Sequence, residues 1–192
     1  MKLRCDQYDA SWYAVSTKSR QEKVVVAMLE YLEVANFLPL IREEHRWSDR
    51  KQMIATPLFQ GYVFVRIATT SELLLRVLKV PGVVDFVRSR SGPLAIPDGE
   101  IEDVRAVLTH GVGCSPYPFL RAGDRVRVVR GALAGIEGTF IRSGSQSKLV
   151  ISVEMIQRSV AVSVAEADVE AVYSVMTRHP ASGLLSTAAG YV

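Results

Sequence analysis

The side chains best placed to do chemistry in this 192-residue chain are two aromatic rings and several small groups of cations. Their chemistry is recognition, not reaction. In TPLFQGYVFVRI, Thr56 to Ile67, alternation along a strand puts Phe59, Gly61, Val63, Val65 and Ile67 on one face. Leu58, Gln60, Tyr62, Phe64 and Arg66 take the other. The first face is a core face, with Phe59 and Gly61 in it. The second mixes Tyr62 and Phe64 with polar residues, as expected where a partner covers the rings, since aromatics are favoured anchors of docking pockets. A helix of the same domain packed on that face would cover them equally well.

The cations fall in two places. Lys18, Arg20 and Lys23 stand at a helix start, and Arg46, Arg50 and Lys51 at the tip of a turn, HRWSDRK. Either set suits phosphate contacts, which add affinity without reading sequence. A solvated helix start and a solvated hairpin tip are the alternatives. Further on, Met155, Ile156 and Arg158 lie in EMIQR between two strands. An apolar pair at a hairpin tip serves a partner, unless it folds back onto its own sheet. The run Arg121, Arg125, Arg127, Arg130 alternates with Val126 and Val128, the pattern of a strand's outer face.

Reaction chemistry is not visible. His45, His110 and His179 are far apart and form no HExxH, and no GxSxG occurs. Gly131, Gly135 and Gly138 are spaced GxxxGxxG with a strand after them, whereas a phosphate cradle needs a helix there. They are expected to supply positive φ in turns. Glu43 and Glu44, adjacent on a strand, point to opposite faces. No enzyme, cofactor or metal is expected. Cys5 and Cys114 form no CxxC pair, which fits a reducing cytoplasm. There is no run of membrane-spanning length and no apolar stretch of signal-peptide type near the N-terminus, so no membrane partner is expected. The net charge of +3 is too mild for burial in ribosomal RNA.

The elements that must position these residues follow from periodicity. Trp12 to Val15 reads as a strand. Ser19 and Glu22 have capping-box spacing for a helix to about Glu33, with Val25, Leu29 and Leu32 inward and Asn36 as its stop. Phe37 to Arg46 and Thr56 to Ile67 are extended around the turn at Trp47 to Lys51. TTSE, Thr69 to Glu72, opens a helix with Leu74, Val77 and Leu78 inward. Val83 to Val87 is a strand, and Asp98 caps a helix to about Leu108. The fold class expected is an α+β N-terminal domain, an antiparallel sheet flanked by helices, over residues 11–109. HGVGCSPYPFL, 110–120, reads as a linker. Residues 121–173 hold short β-branched runs spaced as in a small all-β barrel, and 174–192 form a frayed tail.

The stretch Gly123 to Phe140, GDRVRVVRGALAGIEGTF, resembles the KOW motif of SH3-like barrels. KLVISVEMIQRSVAVSVAEADVEAV continues it. Upstream, Trp12-Tyr13, PLFQGYVFV and VPGVVDFV are similar, in that order, to the N-terminal domain of the NusG family of transcription elongation and antitermination factors. HRWSDRK before PLFQGYVFV looks most like the specialised paralogues grouped with RfaH and the polysaccharide-operon antiterminators. The resemblance implies a monomeric, cytoplasmic factor that binds the clamp helices of bacterial RNA polymerase through Tyr62 and Phe64. It further implies non-template DNA as a partner of Lys18, Arg20 and Lys23, and ribosomal protein S10 or Rho as partners of Met155, Ile156 and Arg158. RfaH reads DNA with polar residues along the first helix. The matching positions here include Val24, Met28, Tyr31 and Leu32, a departure that speaks against recognition of that type. A housekeeping NusG acting with Rho, and a KOW-containing RNA- or ribosome-binding protein, are the alternatives.

Overall fold

A computed structural model describes residues 10–47, 50–68, 71–111, 113–117, 123–143 and 146–172, leaving the side chains of 44–47, 50, 51, 71, 143 and 146 outside the description. The N-terminal part runs β1 (Ser11–Thr17), α1 (Glu22–Tyr31), β2 (Ala35–Phe37), β3 (Leu40–Trp47), β4 (Arg50–Pro57), β5 (Tyr62–Ile67), α2 (Ser71–Leu78), β6 (Val83–Phe86), β7 (Arg88–Ser89), β8 (Gly92–Pro93), β9 (Ala95–Ile96) and α3 (Asp98–Thr109). The C-terminal part runs β10 (Cys114–Tyr117), β11 (Asp124–Val128), β12 (Glu137–Ser143), β13 (Gln146–Val153), a 3-10 turn (Glu154–Ile156), β14 (Arg158–Ser163), a second such turn (Glu166–Asp168) and β15 (Val169–Ala171).

The first sheet has the order β2-β5-β1-β6, with β9 also on β1, and its pairings are antiparallel. Both of its faces are dry. Tyr13, Val15, Val63, Val65 and Ile67 meet Val25 and Leu29 of α1 and Val77 of α2. On the other face Trp12, Ala14, Phe64 and Ile96 meet Ile101 and Val104 of α3. The Arg105 guanidinium of α3 lies 4.9 Å from the Trp12 ring centre and 4.8 Å from that of Phe37. The Val24-Val25-Val26 run stays helical because burial of Val25 outweighs a propensity cost of a few tenths of a kcal/mol per residue.

Several expectations need correction. The strand expected from Thr56 to Ile67 is broken. β4 pairs with β3 in a hairpin, Leu58 to Gly61 turn with Gly61 at φ +82°, and β5 begins at Tyr62. The turn resets the alternation. Phe59 is buried, but it packs edge-to-face on Phe64 at 6.1 Å instead of lying on the opposite face. Ser19 does not cap α1. The N-cap is Gln21 without a side-chain bond, and Glu22 is buried and accepts the Gly61 N–H at 2.7 Å. The helix stops before Asn36, with Glu33 at φ +55° and Asn36 already in β2. Asp98 begins α3 without capping it, Pro97 holding the cap position. Leu78 is exposed, and Val80 takes the inward place beside Val77. Thr69 and Thr70 of the second capping box lie outside the described residues, as do Cys5, Arg121 and the tail from 173.

The C-terminal sheet has the order β10-β14-β13-β12-β11-β15, antiparallel throughout. Among the described residues no pairing between β10 and β15 closes this antiparallel sheet into the expected barrel. The stretch expected as a linker supplies β10, which takes the edge of β14, a place where Pro116 and its missing N–H are tolerated. Gly131 and Gly135 have positive φ, as turns require. Gly138 does not. A Cβ there would stand 2.6 Å from the Val150 carbonyl oxygen, so this glycine serves close strand approach. The sheet packs on α3, and the core on α3's side of the first sheet continues through Ile101 and Val104 to Ile151, Val153 and Ile156.

Glu22 thus ties helix α1 to the turn before β5. Glu22→Ala leaves the Gly61 N–H unpaired and is expected to lower unfolding free energy by about 1–3 kcal/mol. Glu22→Gln, which keeps an acceptor, is expected to lower it less. Urea titration with far-UV circular dichroism measures both.

Candidate functional site

Tyr62 and Phe64 share a face, opposite Ser16 and Ala14 of β1, but not equally. Phe64 is fully buried, stacked on Phe37 at 6.2 Å and touched edge-on by Phe59. Tyr62 is half-buried at the rim of the same core. The rings therefore form a buried floor and a reachable edge.

Beside them, Leu58, Phe59 and Gln60 face Pro116, Tyr117, Arg158 and Ser159 across a cleft of about 540 Å³. Arg158, from the third candidate group, is thereby brought to the turn preceding Tyr62. Met155 is half-buried and Ile156 buried, both against the common core, so the pair folds back instead of projecting. The Glu154 N–H donates to the Glu100 carboxylate at 3.1 Å, and Gln157 holds φ +51°. Pro116 and Tyr117 were hidden in the expected linker, where PYP gave no strand signal.

The cations sort by their partners. Lys18, Arg20 and Lys23 are exposed around the start of α1. Arg20 and Lys23 line a groove of about 800 Å³ against Ile54, Ala55 and Pro57 of β4, and the Lys23 Nζ donates to the Ala55 carbonyl at 2.7 Å. Arg20 holds φ +62°, a left-handed conformation costly for a bulky side chain. The side chains of Arg46, Arg50 and Lys51 lie outside those described. Their backbones pair near the end of the β3–β4 hairpin, Arg46 with Lys51 and Trp47 with Arg50. The arginines in and just after β11 are engaged: Arg125 at 3.5 Å and Arg127 share Glu137, and Arg130, beyond the strand, meets Asp168 at 3.3 Å.

A further group, spread too widely along the chain to be seen in it, lies between α3 and the C-terminal sheet. Glu100, Asp103, Glu137, Glu154 and Arg125 line a cavity of about 340 Å³. Burial pushes the Glu100 carboxyl above its ordinary range; the Glu154 N–H opposes this, and the charges of Glu154 and Asp103 add to it. Burial and the Glu137 charge push Asp103 up against the pull of Arg125. Among the described residues no cluster of His, Cys, Asp and Glu could hold a metal ion. No helix among them is long and apolar enough to cross a membrane.

A family model described as "Transcription termination factor nusG" matches residues 10–105. The transcription termination/antitermination protein NusG of Lactococcus lactis is 29% identical over 167 residues, covering 81% of this chain and 89% of that protein. Its counterpart in Thermus thermophilus is 30% identical over 146 residues, covering 67% and 79%. A solved structure, "Domain interaction in Thermotoga maritima NusG", shares the fold with a TM-score of 0.53 at 23% identity, covering 86% of this chain and 99% of that one.

Arg20 invites a direct test. Arg20→Gly relieves a left-handed residue and is expected to raise stability by about 1 kcal/mol in urea titration. The same change is expected to weaken salt-dependent binding to nucleic acid.

Proposed function

The chain belongs to the NusG family of transcription termination/antitermination factors, a non-enzymatic family, and on that premise we propose that it binds the clamp helices of bacterial RNA polymerase through the Tyr62–Phe64 face. The observation that carries this reading is the ring arrangement. Phe64 is a fixed floor under α3, and Tyr62 is the edge a partner helix reaches first. Bridging the polymerase cleft favours the closed clamp, suppresses pausing or termination, and raises processivity by population shift. Lys18, Arg20 and Lys23, with Arg46, Arg50 and Lys51 of the hairpin, steady the non-template strand. The factor acts as a monomer in the cytoplasm.

The C-terminal sheet, read as a KOW domain of SH3-like type, recruits a second partner such as ribosomal protein S10 or Rho through Met155, Ile156 and Arg158. In the arrangement described, Met155 and Ile156 are packed away and α3 lies over the aromatic face. Recruitment therefore draws on a state in which the sheet has left α3. Such a state lowers apparent affinity by its fractional population. The matched relatives carry the general NusG name, which favours a factor acting at many genes over an RfaH-like specialist.

Polymerase binding tests the central reading. Tyr62→Ala is expected to weaken binding to core polymerase at least tenfold while circular dichroism stays unchanged. Phe64→Leu is the companion variant, because Phe64→Ala removes a buried ring at about 3–5 kcal/mol and confounds folding with binding. Equal binding by wild type and Tyr62→Ala defeats the aromatic account. RNA binding without polymerase binding hands the reading to an RNA-binding KOW protein.

Docking of the sheet on α3 is expected to depend on pH. Glu100 and Asp103 have raised pKa values in the docked state, so their contribution is present below the ordinary carboxylate range. It is lost as pH rises through the raised values. Glu100→Gln/Asp103→Asn removes that dependence and is expected to hold the docked state at neutral pH. Interdomain energy transfer between dyes on the two parts reads the change.

A further inference from the structure

We propose that the groove between the start of α1 and β4 binds a small nucleoside phosphate, with the phosphate group at the head of α1 and the ring system against β4. The site goes beyond the function proposed above and does not rest on it. Thr17 sets this groove apart. It lines the groove and is 9% exposed, and its Oγ1 is the one buried side-chain oxygen or nitrogen among the described residues without a hydrogen-bond partner. A buried hydroxyl in that condition costs free energy that a bound acceptor recovers. The first residues of α1, Glu22 and Lys23, line the same groove, and no side chain caps the helix. First-turn N–H groups have no intrahelical acceptor, and with the helix dipole they favour a negative charge at this end. Arg20 and Lys23 add cations there, and Ser19 a second hydroxyl. The bond from the Lys23 Nζ to the Ala55 carbonyl holds the amine at the groove wall and leaves it donors to spare.

The rest of the groove selects among anions. Glu22 is buried in it, with one carboxylate oxygen on the Gly61 N–H, and Ile54, Ala55 and Pro57 form a half-buried apolar wall. A nucleic-acid strand entering here would carry its next phosphates onto that carboxylate and that wall. A nucleoside phosphate has a single charged end. Its flat ring suits the wall, and its ribose hydroxyls and ring amines are donors for the remaining lone pairs of Glu22 and for the Gln60 amide oxygen. The volume of about 800 Å³ lies within the range of about 300–1,000 Å³ usual for small-molecule sites. Arg20 and Lys23 are also cations assigned above to the non-template strand. Occupancy of the groove therefore withdraws them from the strand, which makes this an effector site.

Calorimetric titration of the full chain with ADP, GDP, adenosine, guanosine and inorganic phosphate tests the site. Both diphosphates are expected to bind, and the nucleosides and inorganic phosphate to bind at least tenfold more weakly. Thr17→Val is expected to weaken diphosphate binding about tenfold with no loss of stability in urea, because the hydroxyl it removes has no partner within the fold. Arg20→Gln/Lys23→Gln, on exposed positions, is expected to weaken it as well and to flatten its salt dependence. Excess GDP is expected to lower binding of fluorescein-labelled oligo-dT, read by anisotropy. No diphosphate binding by wild type, or diphosphate binding unchanged in either variant, overturns the proposal. So does inorganic phosphate binding as tightly as the diphosphates, which marks an adventitious ion only. Oligo-dT binding that falls with Thr17→Val while the diphosphates do not bind gives the groove to a strand and overturns it too. Core polymerase binding by wild type, measured in parallel, decides the earlier reading separately.

Discussion

The structure depends on keeping both faces of one small sheet dry. β1 and β5 carry large apolar side chains on each side, Tyr13, Val15, Val63 and Val65 on one and Trp12 and Phe64 on the other. A sheet of this kind needs a layer on each face. α1 and α2 provide one layer, and among the described residues α3 provides the other, joined by Phe59 of the turn before β5. α3 must therefore be apolar toward the sheet through Ile101 and Val104. It is also apolar enough beyond that face to hold the C-terminal sheet against itself. The requirement that buries Phe64 is the one that joins the two halves of the molecule.

Much of this was legible along the chain. Where a period ran uninterrupted, as in α1, α3 and the strands of the C-terminal sheet, element type followed from it. Errors came where a short turn or a distant partner decided the outcome. Gly61 turns the chain between Phe59 and Tyr62, so a two-residue alternation counted across it placed Phe59 on the wrong side of Phe64. Glu22 has capping-box spacing from Ser19, yet a backbone N–H 39 residues away captures its carboxylate. Cys114 to Tyr117 has no strand period, and pairs because β14 offers an open edge. The carboxylates between α3 and the sheet come from positions 100, 103, 137 and 154, and only packing brings them together.

Charge follows the same rule. The chain holds 23 basic and 20 acidic side chains, so availability, not number, decides where a polyanion can bind. The arginine-rich strand β11 looks the most basic segment on paper. Its arginines are spent on Glu137, and Arg130 on Asp168, exposed pairs that add little stability but mask the charge. The cations around the start of α1 lie instead beside a groove. Site residues on a surface like this are found by subtracting the pairs.

The edge strand β10 also determines how far the two halves can part. α3 ends at Thr109 and β10 begins at Cys114. While β10 stays on β14, that interval is the entire leash, and fully extended it reaches roughly 18 Å. In the parted state proposed above, so short a tether would keep the sheet at high local concentration over α3, and re-docking would compete strongly with any soluble partner. Parting along this joint would be a swing on a hinge, and a wider excursion would require the edge strand to peel away first. The length of the leash, set by where one strand begins, would thus act as a governor on how long the proposed open state lasts.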